Sequence, residues 1–301
     1  MKTDVFYWLL NMSIHGSLVL LAVLALRKIP KLPCGFRYIL WSLPALRLIM
    51  PFAIRGQFNL MALLEKLGTR RITLTPTQSN TFLGMANSVT AADSYFPITY
   101  ESNVLSNLFS VASTVWAIVA IACMITAAIL FFFIQRELRN TTIQDDYHLS
   151  PKVSVPILCG ILHPKIILPH GVSEQELPYI LLHERIHISR QDNLWRCFAV
   201  LLCCLHWFNP LCWLSLQYFF ADMELSCDEA VIRHFDTQQR KEYAMALLNT
   251  NQQQTLFLSA FGGAKIRLRI ARILSYKKLT LTSTLVLVVF FAAIAMVLIT
   301  N

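Results

Sequence analysis

The stretch Trp195-Arg196-Cys197-Phe198-Ala199-Val200-Leu201-Leu202-Cys203-Cys204-Leu205-His206-Trp207-Phe208-Asn209-Pro210-Leu211-Cys212-Trp213-Leu214-Ser215-Leu216-Gln217-Tyr218-Phe219-Phe220 is apolar enough for a membrane span, and its path decides the architecture. A straight span would carry the acids that follow it, Glu224 and Asp228, across a bilayer from the histidines that precede it, His183 and His187. Asn209-Pro210 argues against that path, because a proline interrupts the helical ladder at mid-stretch. Each arm of about 13 residues rises only about 20 Å, against roughly 30 Å of hydrocarbon. The stretch is therefore expected to form a re-entrant helical hairpin over 195–220 that returns Glu224 to its starting side. Non-helical backbone at its tip is tolerated if buried in protein. His206 and the paired Cys203 and Cys204 fall near the tip and read as packing groups.

The rest of the chain points to the same solvent. Of 301 residues, 55% are hydrophobic and 14% charged, with a mean hydropathy of +0.52, too apolar and charge-poor for an ordinary soluble protein. Four other segments have the length and composition of spans: 5–26, 38–54, 111–134 and 279–299. Arg27, Lys28, Lys31 and Arg37 lie between the first two without an acidic residue, which marks that loop as cytoplasmic. The expected order is then transmembrane helices 1 and 2 over 1–54, an extracellular loop over 55–110, and helix 3 over 111–134. A cytoplasmic domain over 135–278 and helix 4 over 279–301 follow, with both termini outside. Arg136 and Arg139 after the third span agree with this, as does the run Lys265, Arg267, Arg269, Arg272, Lys277, Lys278 before the last. The net charge of +9 is thus assigned to membrane flanks, with the lipid bilayer as partner and no direct nucleic-acid binding. Arg47 in the short second span reads as structural, snorkelling or pairing with a neighbouring helix. The eight cysteines show no CxxC pair and read as reduced, packed thiols.

Within the cytoplasmic segment, 153–156 and 165–168 flank Gly160 and read as extended pieces joined by a turn, the second offering an edge on which a substrate could add as a strand. Ser173 with Glu176 three residues on is a capping box, predicting a helix from about Glu174. That helix carries His183-Glu184-Arg185-Ile186-His187, an HExxH pattern that places two imidazoles on one face, spaced for one tetrahedral zinc. Glu184, about 100° round the helix from His183, is the general-base candidate for the attacking water. After the hairpin, Glu224 and Asp228 stand four apart on a second helical segment. Glu224 is expected to complete a His2Glu set with an open fourth position, and Asp228 to accept the free ring N–H of a ligand histidine. The expected cofactor is Zn2+, on the chemistry of that ligand set.

These residues resemble the BlaR/MecR-type antirepressor metallopeptidases, integral membrane gluzincins. The marks are Arg37-Tyr38 with Trp41, Arg47 and Pro51; Gly160 with Pro164-Lys165-Ile166-Ile167-Leu168-Pro169; His183-Glu184 with His187; His206-Trp207-Phe208-Asn209-Pro210 with Trp213; and Glu224 with Cys227-Asp228-Glu229-Ala230-Val231. The resemblance implies zinc held by His183, His187 and Glu224, Glu184 as base, and a cytoplasmic protease that cleaves itself or a DNA-binding repressor on an external signal. It also implies bacterial origin. The penicillin-binding sensor that follows the last span in well-known members, with its SxxK serine, is not expected here; sensing belonging to the 55–110 loop, sensing by a separate sensor protein, and a shortened paralogue are the open alternatives. Taken together, the expectation is a predominantly α-helical integral membrane protein, four transmembrane helices plus the hairpin, with a gluzincin-like zinc peptidase domain facing the cytoplasm. The oligomeric state is open, a homodimer being one option. The rival from another class is a non-catalytic transducer or scaffold with a structural zinc site, and a transporter ranks last.

Overall fold

The computed structural model describes residues 2–29, 32–50, 103–138, 141–144, 146–252, 266–276 and 281–299, and every structural statement below refers to these. They form a mostly helical protein: α1 (Lys2–Leu26), α2 (Cys34–Leu40), α3 (Ser42–Ile49), α4 (Asn103–Glu137), α5 (Leu177–Ser189), α6 (Asp192–Leu205), α7 (Pro210–Ile232), α8 (Thr237–Gln252), α9 (Ile266–Leu274) and α10 (Leu281–Ile299). Between α4 and α5 lie four short strands, β1 (Thr142–Gln144), β2 (Tyr147–Leu149), β3 (Ile157–Cys159) and β4 (Lys165–Leu168).

Two described helical segments, Thr3–Leu26 and Asn107–Glu137, are long and apolar enough to cross a membrane. The second buries only 6% of its most apolar window, leaving Ile118, Ile121, Ile125, Phe132 and Phe133 exposed. That is costly in water and ordinary in lipid. The expected 38–54 span is not one helix over its described part. It breaks at Trp41 into α2 and α3, because Pro44 has no N–H for the Leu40 carbonyl and its ring crowds that group. Residues 51–54 lie outside the described residues, as do 55–102 of the expected external loop. Helix α4 begins at Asn103, eight residues before the expected start at 111. Of the basic run before the last span, Arg267, Arg269 and Arg272 lie on or in α9, and Lys265, Lys277 and Lys278 fall outside the description. Helix α10 carries a shorter apolar run, Leu285–Met296.

The 195–220 stretch folds as two helices joined by a turn. Cys203 Sγ lies 3.4 Å from the Cys212 carbonyl near the tip, while Arg196 reaches Glu224 at 2.7 Å at the other end, so α6 and α7 run antiparallel. Asn209 starts α7: its Oδ1 accepts the Leu211 N–H at 3.0 Å, and Pro210 occupies the first turn, where its missing N–H costs nothing. The Asn209 amide also donates to Ser13 Oγ at 2.8 Å and Ser17 Oγ at 2.7 Å, pinning the tip to α1. At the far end, Arg27 Nε and Trp41 Nε1 donate to Asp222 Oδ2 at 2.6 and 2.9 Å. Helix α1 therefore lies parallel to α7, and one core of Val19, Leu20, Val23, Leu40, Trp41, Leu48, Cys203 and Cys212 fills the space between them. Arg47 is buried in α3, and His206 is buried with Nε2 3.2 Å from the Leu48 carbonyl. All eight thiols are free.

The sheet order is β1-β2-β4-β3, with β4 parallel to β2 and antiparallel to β3. This corrects the expectation that the 165–168 strand offers a docking edge: β4 is interior, paired on both sides, since its Ile166, Ile167 and Leu168 are all buried. The turn before it needs Gly160, at φ +106, where an added Cβ would meet the His163 carbonyl oxygen at 2.8 Å. The helix start is also corrected. Ser173 and Glu176 form a turn, Ser173 Oγ accepting the Gln175 N–H at 3.3 Å, and α5 begins only at Leu177 with Pro178 in its first turn. Pro178 restricts Leu177 and leaves the capping box unformed, so Glu176 caps with no side-chain bond.

Candidate metal centre

Helix α5 presents His183 and His187 from one face, one turn apart, towards α7. Their Nε2 atoms approach to 3.1 Å. Glu224, from α7, brings Oε2 to 3.6 Å from His183 Nε2 and Oε1 to 3.7 Å from His187 Nε2. Two imidazole nitrogens and the two oxygens of one carboxylate thus face one another. A tetrahedral zinc with bonds of about 2.0–2.1 Å has donor–donor edges of about 3.4 Å, and the 3.1 Å between the nitrogens and the 3.6 and 3.7 Å from each nitrogen to a different carboxylate oxygen lie near that value.

The other edge of each ring is fixed by an acceptor. His187 Nδ1 donates to Asp192 Oδ2 at 2.6 Å. The approach depends on Gln191, which adopts the left-handed conformation (φ 56, ψ 38) between α5 and α6 and turns the chain so that Asp192 returns beneath His187. Tyr38 of α2 donates to Asp192 Oδ1 at 3.1 Å, and Arg190 stacks over the Tyr38 ring. His183 Nδ1 lies 2.8 Å from the Tyr243 hydroxyl of α8. That hydroxyl donates to Asp228 Oδ1 at 2.6 Å and so accepts from His183. With both Nδ1 atoms protonated, two Nε2 lone pairs face each other in a buried site, which is repulsive unless a cation or proton lies between them. Burial alone would lower the His183 pKa, but the neighbouring Cys227 and Glu224 push it up to about 10. Burial likewise opposes ionisation of Glu224, yet the two imidazoles and Arg269 hold its carboxyl well below the usual range. The site attracts positive charge, and its donor set fits a metal ion.

The expected direct contact of Asp228 with a ligand histidine is replaced by a bridge. Asp228 Oδ1 is 3.6 Å from His183 Nδ1, too far for a hydrogen bond, and Tyr243 stands between. Cys227 forms a buried group with the two histidines that could also hold a metal. Its sulfur, however, lies 3.6 Å from His183 Nδ1, the edge already engaged by Tyr243, and 3.5 Å from the His183 carbonyl, to which the thiol donates. Glu224 instead faces both Nε2 atoms. Glu184 is 8% exposed beside this pair and, among the described residues, has no hydrogen-bond or ion-pair partner.

Several residues of the centre carried no weight in the sequence. Asp192 follows His187 by five residues, beyond the helix end, where spacing rules lapse. Tyr243 and Arg269 come from α8 and α9, and only packing delivers them. Arg196, 2.7 Å from Glu224 Oε1, belonged to an apolar stretch.

Residues 7–273 match the family described as BlaR1 peptidase M56. A regulatory protein of Bacillus licheniformis, BlaR1, is 38% identical over 102 residues, 33% of this chain and 17% of that protein. The methicillin resistance mecR1 protein of Staphylococcus aureus (strain Mu50 / ATCC 700699) is 28% identical over 103 residues, 33% of this chain and 18% of that protein. The matched part is thus less than a fifth of either relative. The family is membrane-associated, and its peptidases are generally metal-dependent. The family match spans most of the chain, so this chain belongs to the BlaR1 peptidase M56 family.

Proposed function

We propose that the chain is a membrane-embedded zinc endopeptidase acting in bacterial signal transduction, cleaving itself or a cytoplasmic repressor. The observation that carries this reading is the approach of His183 Nε2, His187 Nε2 and the Glu224 carboxylate, one oxygen towards each imidazole, with each imidazole held through Nδ1 and Glu184 buried and unengaged alongside. His183, His187 and Glu224 hold the ion. Zinc bound there supplies Lewis acidity, polarising a peptide carbonyl and bringing the pKa of water to about 7. Glu184 takes the proton of the attacking water on its carboxylate and returns it to the leaving amine. Asp192 and Tyr243 keep the two rings in the tautomer that offers Nε2.

The chain crosses the bilayer four times, with the 195–220 hairpin re-entering from the cytoplasmic side and both termini outside. Exposed apolar side chains along α4 and α10 support burial of those two helices in lipid. About 15 residues separate Asn209 at the tip from Glu224, a rise of about 22 Å, which is consistent with a centre at or just within the cytoplasmic surface. The substrate is a cytoplasmic protein, a DNA-binding repressor on the family's pattern, and an external signal arrives through the 55–110 segment or a separate sensor.

The test is zinc content and proteolysis of a candidate repressor, or of the chain itself, in detergent. Wild type should hold about one zinc and cleave. Glu184→Ala should hold zinc and lose cleavage by about 100-fold or more, and Glu224→Ala should lose metal affinity. Cleavage that survives Glu184→Ala would sink the mechanism. Zinc bound without cleavage under any inducing condition points to a transducer that keeps the centre for structure.

A further inference from the structure

Four elements meet behind His183. Its Nδ1 donates to Tyr243 of α8 at 2.8 Å, and Tyr243 donates to Asp228 of α7 at 2.6 Å. Asp228 receives a two-pronged contact from Arg269 of α9, Nε to Oδ2 at 2.7 Å and Nη2 to Oδ1 at 2.8 Å. The third guanidinium nitrogen, Nη1, lies 3.6 Å from Glu224 Oε2. One arginine therefore touches the carboxylate behind one imidazole and the carboxylate beside both. Tyr243 is 1% exposed and Asp228 2%, while the Arg269 side chain is 15% exposed. Ile273, one turn beyond Arg269, is fully buried in the cluster with Tyr243, Val231 and Ile232, so α9 is seated on this region by packing as well as charge.

We propose that Arg269 is a positioning residue of the metal centre, acting on His183 through Asp228 and Tyr243. This rests on the metal-binding reading above. The physical argument is that a buried carboxylate needs its cation. With Arg269 in place, Asp228 is satisfied by three donors and holds the Tyr243 hydroxyl with its lone pair towards His183, and the imidazole keeps Nε2 free for metal. With Arg269 withdrawn, Asp228 is a buried, underpaired charge, and the phenol and imidazole rearrange around it. Metal affinity falls.

The experiment is the zinc dissociation constant of the full chain in detergent, by competition with a chromophoric chelator, alongside the unfolding temperature of the metal-free protein. Tyr243→Phe and Arg269→Gln should each weaken zinc by about 10- to 100-fold. Arg269→Lys should recover only part of the loss, keeping the charge without the fork. Because the residues act in series, Tyr243→Phe combined with Arg269→Gln should bind no more weakly than the worse single variant. A purely structural Arg269 gives a different result: a lower unfolding temperature with unchanged zinc affinity of the folded protein in Arg269→Gln. That outcome overturns the relay while leaving the metal centre standing. Failure of wild type itself to bind zinc overturns both. Should Arg269→Gln not fold, Tyr243→Phe with and without Arg269→Lys carries the same comparison.

Discussion

At the residue scale, His187 shows how much of the centre is decided by one contact. Its Nε2 is offered inward only because Nδ1 is engaged by Asp192, which is fully buried and held in turn by Tyr38. Asp192→Asn keeps the size but can present an amide N–H to the ring, favouring the wrong tautomer. The expected outcome is a zinc affinity about 10- to 100-fold weaker, with little change in helix content by circular dichroism. Tyr38→Phe should cost less, since Asp192 retains Arg190 at 3.4 Å. Equal affinity in wild type and Asp192→Asn would show that the ring is held by packing alone. The shared face of His183 and His187 was legible in the sequence because i and i+4 positions on a helix are neighbours by geometry. The approach of Glu224 to them was legible once the chain turned back at Asn209-Pro210. The residues behind the ligands were not, because Asp192 follows a left-handed turn and Tyr243 arrives from 60 residues away.

At the scale of elements, Asn209-Pro210 carries the most information per residue. The dipeptide breaks one apolar stretch into α6 and α7, caps the second, and ties the turn to α1 through Ser13 and Ser17. Asn209→Ala removes a cap worth about 1 kcal/mol and leaves the buried Ser13 and half-buried Ser17 hydroxyls each short of a donor. Its unfolding free energy in detergent should fall by about 2 kcal/mol in total. Asn209→Ser keeps the cap without reaching both serines and should fall between the two; a variant as stable as wild type would mean that the tip is held by α1 packing instead. Gly16, on the same stretch of α1, lets α3 approach: an added Cβ would lie 2.8 Å from Leu48 Cγ, the close fit that small residues give to packed apolar helices. Where element reading failed, a tertiary constraint outweighed a local pattern. The Ser173–Glu176 pattern is a capping box by spacing, but Pro178 moves the helix start past it. The 165–168 strand looks like an edge by length, but sheet order places it inside.

At the scale of the whole molecule, α7 joins an apolar body to a polar one. Its first half packs against α1, α3 and α6, and its second half sends Asp222 to Arg27 and Trp41, Glu224 to the centre, Asp228 to Tyr243 and Arg269, and Glu229 to the Gly35 N–H at 2.9 Å. The acids on that helix reach α2, α5, α8, α9 and the residue that follows α1, so the register of α7 ties these elements together. Binding of an ion between α5 and α7 should then stabilise the assembly as a unit. With free zinc at 1,000 times the dissociation constant, linkage gives about 4 kcal/mol for a species that binds only when folded. Wild-type protein should therefore unfold at a markedly higher temperature with zinc than with chelator, and the increment should grow with the logarithm of free zinc. His187→Ala should be nearly insensitive to either addition. If zinc raised the stability of His187→Ala as much as that of wild type, the ion would be binding elsewhere. A rise seen for helices near the centre but absent for the body around Asn209, read by hydrogen exchange, would mean that α7 does not transmit the constraint along its length.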